Sequence, residues 1–304
     1  MNQIGTLFLV ILSFMDTAFM EAQFLKRRES IMSDSHSAAP VTDLTSENYF
    51  SPENELFYMG SSQFKNFQKC EASALAELRG EYKRETTDAL LVGSYVDSHF
   101  EGTLDIFKAQ HPEIFKKDGE LKVQYKQAEK MIKRAERSEL FMQFMSGDKQ
   151  VIMTGEIAGV PFKIKIDSYV TDKCIVDLKT IKDFQLLWNP EKKQRQHFIN
   201  YWGYDLQGAI YREVVRQNTG KVLPFYIAAI TKEAEPDLDV LWVPDDDLDS
   251  ALEVVTSLAP RFQKLKSGEL QPQRCGRCDY CRFTKVLTAP RNYHEDCEVY
   301  EVEC

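Results

Sequence analysis

From Val160 to Tyr169 apolar and charged residues alternate with a period of two, Phe162, Ile164 and Ile166 standing against Lys163, Lys165 and Asp167. That period predicts a strand. The turn signal Ala158-Gly159 divides it from a strand entering at Thr154, and Thr171-Asp172-Lys173 divides it from a third, Cys174 to Thr180. On the third strand Asp177 and Lys179 fall on one face, with Val176 and Leu178 on the other. Asp167 closes the preceding strand ten residues before Asp177, so a hairpin can bring both carboxylates beside one lysine. Two carboxylates and an ammonium at a strand end suit a hard divalent cation with an activated water. The plainer alternative is an exposed hairpin edge whose charges are solvated.

Helical periods flank these strands. Ser61 or Ser62 can cap a helix running to about Leu78, with Phe64, Phe67, Cys70 and Ala74 near one face. Ala89 to Thr103 predicts a second helix, carrying His99, that packs on the sheet. Leu121 to Met145 reads as one long amphipathic helix with Ala128, Met131, Ile132, Ala135 and Phe141 as its apolar stripe. Its opposite face carries Lys122, Lys126, Lys130, Lys133 and Arg137, which reads first as a solvated surface and second as a nucleic-acid contact. Lys182 to Arg195 interleaves lysines with Phe184, Leu186, Leu187 and Trp188. That mixture suits phosphates and unstacked bases, or an ordinary connection with Trp188 packed on the core. Tyr201 to Gln217 predicts a helix stopped by Asn218-Thr219-Gly220, with Tyr204, Gln207 and Tyr211 on one face. Pro224 to Thr231 and Leu238 to Val243 read as an antiparallel strand pair. The acidic stretch Asp245 to Asp249 then starts a helix towards Lys266, with a kink expected at Pro260.

The chain has 304 residues, 43% of them hydrophobic and 28% charged, enough for one sizeable soluble core. A net charge of −9 argues against a surface coated for nucleic acid but leaves room for a local basic groove. The apolar run Ile4 to Phe14 has signal-peptide length but lacks a basic flank and a cleavage site, and is too short to span a membrane. Translation starting at Met32 is the expected account, and a chain begun there should be soluble and as active as the full one. Residues 1–55 are expected as an extension and flexible arm, 56–285 as the folded domain, and 286–304 as a tail.

The seven cysteines do not look like a secreted disulfide framework, which favours a cytoplasmic location. Cys275, Cys278 and Cys281 stand at C-x-x-C-x-x-C spacing, a metal-binding pattern short of one ligand. Cys70, Cys297 and Cys304 compete for the fourth place, while Cys174 reads as a buried strand residue. Thiolate-only ligation suits an iron–sulfur cluster or structural zinc.

Taken together, Gly155-Glu156, Asp167, Asp177-Leu178-Lys179-Thr180 and Tyr204-x-x-Gln207-x-x-x-Tyr211 resemble the core of the PD-(D/E)XK nuclease superfamily. The likeness is to phage and prophage RecE-type exonucleases and the RecB nuclease domain, and it covers roughly Ser61 to Arg282. No proline precedes Asp167, a departure that RecB-like members share. The resemblance implies a restriction-endonuclease-like α/β core, a central mixed β-sheet flanked by helices, followed by a cysteine-rich C-terminal segment. It implies that Asp167, Asp177 and the Leu178 carbonyl hold Mg²⁺ or Mn²⁺, with His99, preceded by Gly93, or Glu156 completing the site. Lys179 would orient and help deprotonate the attacking water, and Gln207 and Tyr211 would pack beside the active site.

AddB-like and CRISPR-associated relatives hold a four-iron, four-sulfur (4Fe-4S) cluster with one upstream and three downstream cysteines. The same likeness would therefore assign that cluster to Cys70, Cys275, Cys278 and Cys281, with zinc as the alternative. The implied activity is metal-dependent exonucleolytic hydrolysis of DNA in phage or prophage recombination or replication, without a membrane. A single-strand annealing protein or further copies of the chain would be its partners. The rivals are a non-catalytic DNA-binding or assembly subunit that keeps the nuclease fold, and a metal-stabilised regulatory module.

Overall fold

A computed structural model describes residues 44–296 apart from Thr86 and Arg291. The Ile4 to Phe14 run, Met32, Cys297 and Cys304 lie outside the described residues. The chain opens with short helices α1 (Pro52–Phe57), α2 (Ser61–Lys69) and α3 (Glu71–Leu78), then α4 (Asp88–Glu101), α5 (Leu104–Gln110), α6 (Val123–Glu136) and α7 (Glu139–Phe144). Strands β1 (Val151–Ile157), β2 (Val160–Ile166), β3 (Ser168–Val170) and β4 (Cys174–Ile181) follow, then a small hairpin of β5 (Leu187–Asn189) and β6 (Gln194–Gln196). Helices α8 (Phe198–Tyr201) and α9 (Tyr204–Thr219) lead to β7 (Phe225–Thr231) and β8 (Leu238–Val243), and α10 (Asp245–Ser267) and α11 (Asp279–Phe283) complete the order.

The central sheet runs β3-β4-β7-β8 and is mixed, as expected. β4 and β7 are parallel, with antiparallel neighbours on either side. A strand covered on both faces must be apolar on both, and period-two alternation divides β4 and β7 between two layers. Ile175, Phe225, Ile227 and Ala229 pack with Phe64 and Phe67 of α2, Ile210 and Val214 of α9, and Phe262 of α10. Val176, Leu178, Ala228 and Ile230 pack on the other side with Val92 and Tyr95 of α4 and Met131 and Ile132 of α6. Fully burying an aliphatic or aromatic side chain is worth about 1.5–3 kcal/mol, so these two layers hold the sheet in place. β1 and β2 form a separate antiparallel hairpin in which Val151 pairs with Ile166 and Ile157 with Val160. Its two turn residues, Ala158 and Gly159, have φ of 52° and 74°, the left-handed geometry that a two-residue hairpin turn needs.

Several elements differ from the periodic reading. The helix expected over Ser61 to Leu78 breaks at Cys70, whose extended backbone (φ −164°, ψ 107°) turns its thiol aside and separates α2 from α3. The long helix over Leu121 to Met145 breaks at Arg137, and Ser138 caps α7 by accepting from the Phe141 N–H at 3.3 Å. Gly203, at φ 64°, divides α8 from α9. The helix expected from Asp245 towards Lys266 forms as α10, with Pro260 inside it. Trp188 is 57% exposed on the β5–β6 hairpin and not packed in the core.

The expected arm is also folded from Thr45 onwards. It lies over β2, so Lys163 is 1% exposed although alternation assigned it to solvent. Its ammonium pairs with Glu55 at 2.7 Å and also bonds the Tyr49 carbonyl, which satisfies a charge that burial alone would make costly. Among the described residues no helix is long and apolar enough to cross a membrane.

Candidate active site

The β3–β4 register pairs Ser168 with Val176, so one further step would set Asp167 opposite Asp177. The ladder ends there, and Asp167 Oδ2 instead accepts from the Leu178 N–H at 2.9 Å. Asp177 is 2% exposed. Its Oδ1 accepts from Gln207 Nε2 at 2.6 Å and its Oδ2 pairs with the Lys179 ammonium. Lys179 Nζ also donates to the Leu178 carbonyl at 3.3 Å. Gln207 arrives because the apolar side of α9 packs on this face of the sheet, and its buried amide needs a partner. One turn on, the buried Tyr211 hydroxyl donates to the Lys165 carbonyl at 2.9 Å and so clamps the chain two residues before Asp167.

A second wall comes from α4. Gly93, Asp97 and Glu101 recur every four residues and share one face. A Cβ on Gly93 would sit 3.3 Å from Thr180 Oγ1, so the glycine lets α4 press against β4. Asp97, Phe100, Glu101, Met145, Gln150, Asp167 and Leu178 line the resulting cavity.

The cluster carries more negative charge than its surroundings balance. Burial, and then the charge of Asp177, raises the Asp167 pKa to about 7. Burial, and then Asp167, raises Asp97 well above the usual carboxylate range. Burial opposes the charge on Lys179, but Asp177 and Asp167 outweigh it and raise its pKa. Gln150, at φ 53°, directs Nε2 to 3.4 Å from Asp167 Oδ1, and its Oε1 is buried with no hydrogen-bond partner among the described residues. Crowded carboxylates and an orphaned amide oxygen are the all-oxygen donor set that a hard divalent cation takes. Asp97, Asp167, Asp177 and the Leu178 carbonyl could hold such an ion.

Two expected site residues stand elsewhere. His99 is two residues from Asp97, about 200° around the helix, and its Nε2 lies 2.9 Å from Glu136 Oε1. The helix face that meets Asp167 therefore offers Asp97 and not the histidine. Glu156 is exposed near the hairpin turn, where Gln217 brackets its backbone at 2.9 and 2.7 Å. Register is the reason: Val151 pairs with Ile166, so β1 presents its preceding residue, Gln150, to Asp167. The signal for Asp97 and Glu101 was their four-residue spacing from Gly93. Nothing local in the sequence marked Gln150.

The charge balance has a measurable consequence. An acid whose pKa rises on folding stabilises the fold when protonated and loses that contribution as pH climbs towards its folded value. Without metal, the melting temperature is therefore expected to fall, by several degrees, as pH rises from about 5 through about 7. Excess Mg²⁺ should abolish that fall by supplying the missing charge. A metal-free profile that stays flat or rises would contradict this account of the carboxylate cluster.

At the other end of α2, the thiols of Cys70, Cys275, Cys278 and Cys281 lie within 4.8 Å of one another. The break after α2 delivers Cys70, and α11 delivers Cys281, which is 2% exposed. Backbone N–H groups of Cys278 and Cys281 donate to Cys275 and Cys278 Sγ at 3.3 and 3.4 Å. Burial raises the pKa of Cys70 and Cys278, whereas at Cys275 the backbone N–H groups of Arg277 and Cys278 help outweigh burial and lower it to about 6, so the thiols share their protons unequally. Glu71, beside Cys70, pairs twice with Arg261 at 2.6 and 2.9 Å and accepts from the Gln273 N–H at 2.7 Å, fixing the two chain segments together. Sγ separations of 3.6 Å (Cys70 to Cys281) and 3.9 Å (Cys275 to Cys281) match the edge of about 3.8 Å that four thiolates make around one zinc ion. Cys174 is buried in β4, apart from this group.

Residues 60–284 match the family model described as a PDDEXK-like domain of unknown function (DUF3799). No curated protein matches the chain. A crystal structure from Eubacterium rectale, described as a "Putative exonuclease", is 49% identical and superposes with a TM-score of 0.80. That match covers 84% of this chain and 98% of the other. A central mixed sheet flanked by helices agrees with both comparisons, and the chain belongs to the PDDEXK-like family.

Proposed function

We propose that this protein hydrolyses phosphodiester bonds of DNA with Mg²⁺ or Mn²⁺, removing nucleotides from an end. The observation that carries the reading is the crowding of Asp167 and Asp97 on one cavity, with the charges of Asp177 and Lys179 close enough on β4 to act on both, and the 49% identical relative described as a "Putative exonuclease" supports it. A bound divalent ion would polarise the phosphate and make a water acidic enough to attack. Asp167, Asp177, Asp97 and the Leu178 carbonyl would hold the ion. Gln207 fixes the Asp177 carboxylate through Oδ1, and Tyr211 fixes the strand that carries Asp167. Lys179, paired with Asp177, would put positive charge beside the phosphate oxygens, orient the attacking water and help draw its proton away. Gln150 Oε1 offers that water or the ion one more acceptor.

The four thiols hold a structural metal. Their spacing favours a single tetrahedral ion over the 4Fe-4S cluster, whose bulk needs the thiols farther apart. Service in phage or prophage recombination or replication, beside a single-strand annealing protein, is the setting that the resemblance supports. A non-catalytic DNA-binding subunit is the second reading. Incubating the full chain with linear duplex, single-stranded and circular DNA, with Mg²⁺, Mn²⁺ or chelator, separates the two. Metal-dependent release of nucleotides from linear DNA, with circles intact, is expected. Binding without release would favour the second reading, and cut circles would sink the requirement for an end.

A further inference from the structure

We propose that Lys65 is a phosphate-binding residue of the active site, holding the backbone phosphate next to the one attacked. This rests on the nuclease reading. On α2, Phe64 and Phe67 are buried against Phe262, which leaves Lys65 and Lys69, one turn apart, facing the α8–α9 junction. The Lys65 stem crosses Gly203, where a Cβ would meet its Cδ at 3.1 Å. Its head lies 3.4 Å from the Trp202 carbonyl and 5.0 Å from the centre of the Tyr204 ring. Lys179 sits over the same ring, also at 5.0 Å.

Two ammonium groups therefore flank one tyrosine beside the catalytic carboxylates. Asp177 is engaged by Lys179 and Gln207, and Asp205 by Asn200. Among the described residues no carboxylate pairs with Lys65. Lys69 lies 6.0 Å from the Trp202 ring, also without an acidic partner among the described residues, and extends the basic face by one turn. Burial, and then the charge of Lys179, lowers the Lys65 pKa to about 8, the more distant charges of Asp177 and Asp205 offsetting only part of it. Two cations that share one ring repel each other unless an anion lies near both. A nuclease substrate supplies one, a phosphodiester adjoining the scissile bond. A merely structural lysine would need only the Trp202 carbonyl, and would gain nothing from standing near Lys179.

The test uses the full chain, Mg²⁺ and linear duplexes carrying one uncharged methylphosphonate linkage at successive positions. Lys65→Gln is expected to raise KM about tenfold, with kcat within about threefold, and to make the salt dependence of binding shallower by about one counterion. Lys65→Arg should recover most of the loss. The wild-type protein should lose a similar factor when the linkage beside the scissile bond is neutral, and Lys65→Gln should be indifferent to that linkage. Independent penalties, an unchanged salt slope, or a wild-type KM in Lys65→Gln would overturn the proposal. Should the wild-type chain cleave no DNA, the nuclease reading itself fails. Equilibrium binding of the same duplexes then decides on Lys65: a slope lower by about one supports it, and an equal slope overturns it.

Discussion

Replacing Asp177 by alanine is expected to leave less than about a thousandth of the wild-type hydrolysis of linear DNA, while the protein stays folded. The carboxylate meets Gln207 through one oxygen and Lys179 through the other. On the proposed mechanism its removal would delete a metal ligand and free the lysine that would face the phosphate. Stability should change little, because the substitution also removes a negative charge that helps raise the pKa of Asp167 and Asp97. Lost contacts and relieved repulsion then oppose one another. Calorimetry of Mg²⁺ binding should show weakened affinity in Asp177→Ala, but near-normal affinity in Lys179→Ala, which slows the chemical step instead. Appreciable cleavage by purified Asp177→Ala would refute the assignment of the site.

Replacing Cys70 by alanine is expected to abolish the proposed metal binding by the thiols and lower the melting temperature by roughly 10–20 °C. Cys70 and Cys275 are separated by roughly 200 residues, and closing so long a loop restricts the unfolded chain by about 5 kcal/mol. For a domain of this size each kcal/mol moves the melting temperature by about 2–4 °C. Activity should fall with folding and recover in the cold, since the thiols touch no residue of the carboxylate cluster. Cys174→Ala provides the contrast, a small core loss at full metal content. Metal analysis after anaerobic purification distinguishes zinc from iron with acid-labile sulfide. Full metal occupancy in Cys70→Ala would mean that another group supplies the fourth ligand.

Much of this was legible along the chain. Alternation set Asp177 and Lys179 on one face of β4 and Val176 and Leu178 on the other, and the structure keeps that division, with α9 over the first face and α4 and α6 over the second. The spacing of Cys275, Cys278 and Cys281 announced a metal site, and the resemblance pointed to Cys70 as their partner. Such features are local, because periodicity and spacing follow from backbone geometry within one element.

What only the tertiary structure decided is which element covers each face. His99 was the expected ligand, yet the packing angle of α4, set where Gly93 meets Thr180, turns Asp97 and Glu101 inward. Glu156 was expected in the site, yet the β1–β2 register carries it towards the turn and delivers Gln150. Lys163 alternates as a solvent-facing residue, but the segment after Thr45 folds over it and supplies Glu55. Nothing along the sequence singles out Lys65, which packing against Gly203 brings to the same Tyr204 ring as Lys179. Helix and strand periods specify a direction from the element's own axis. The group met in that direction depends on registers and crossings between segments distant in sequence, and these are settled only when the whole core packs.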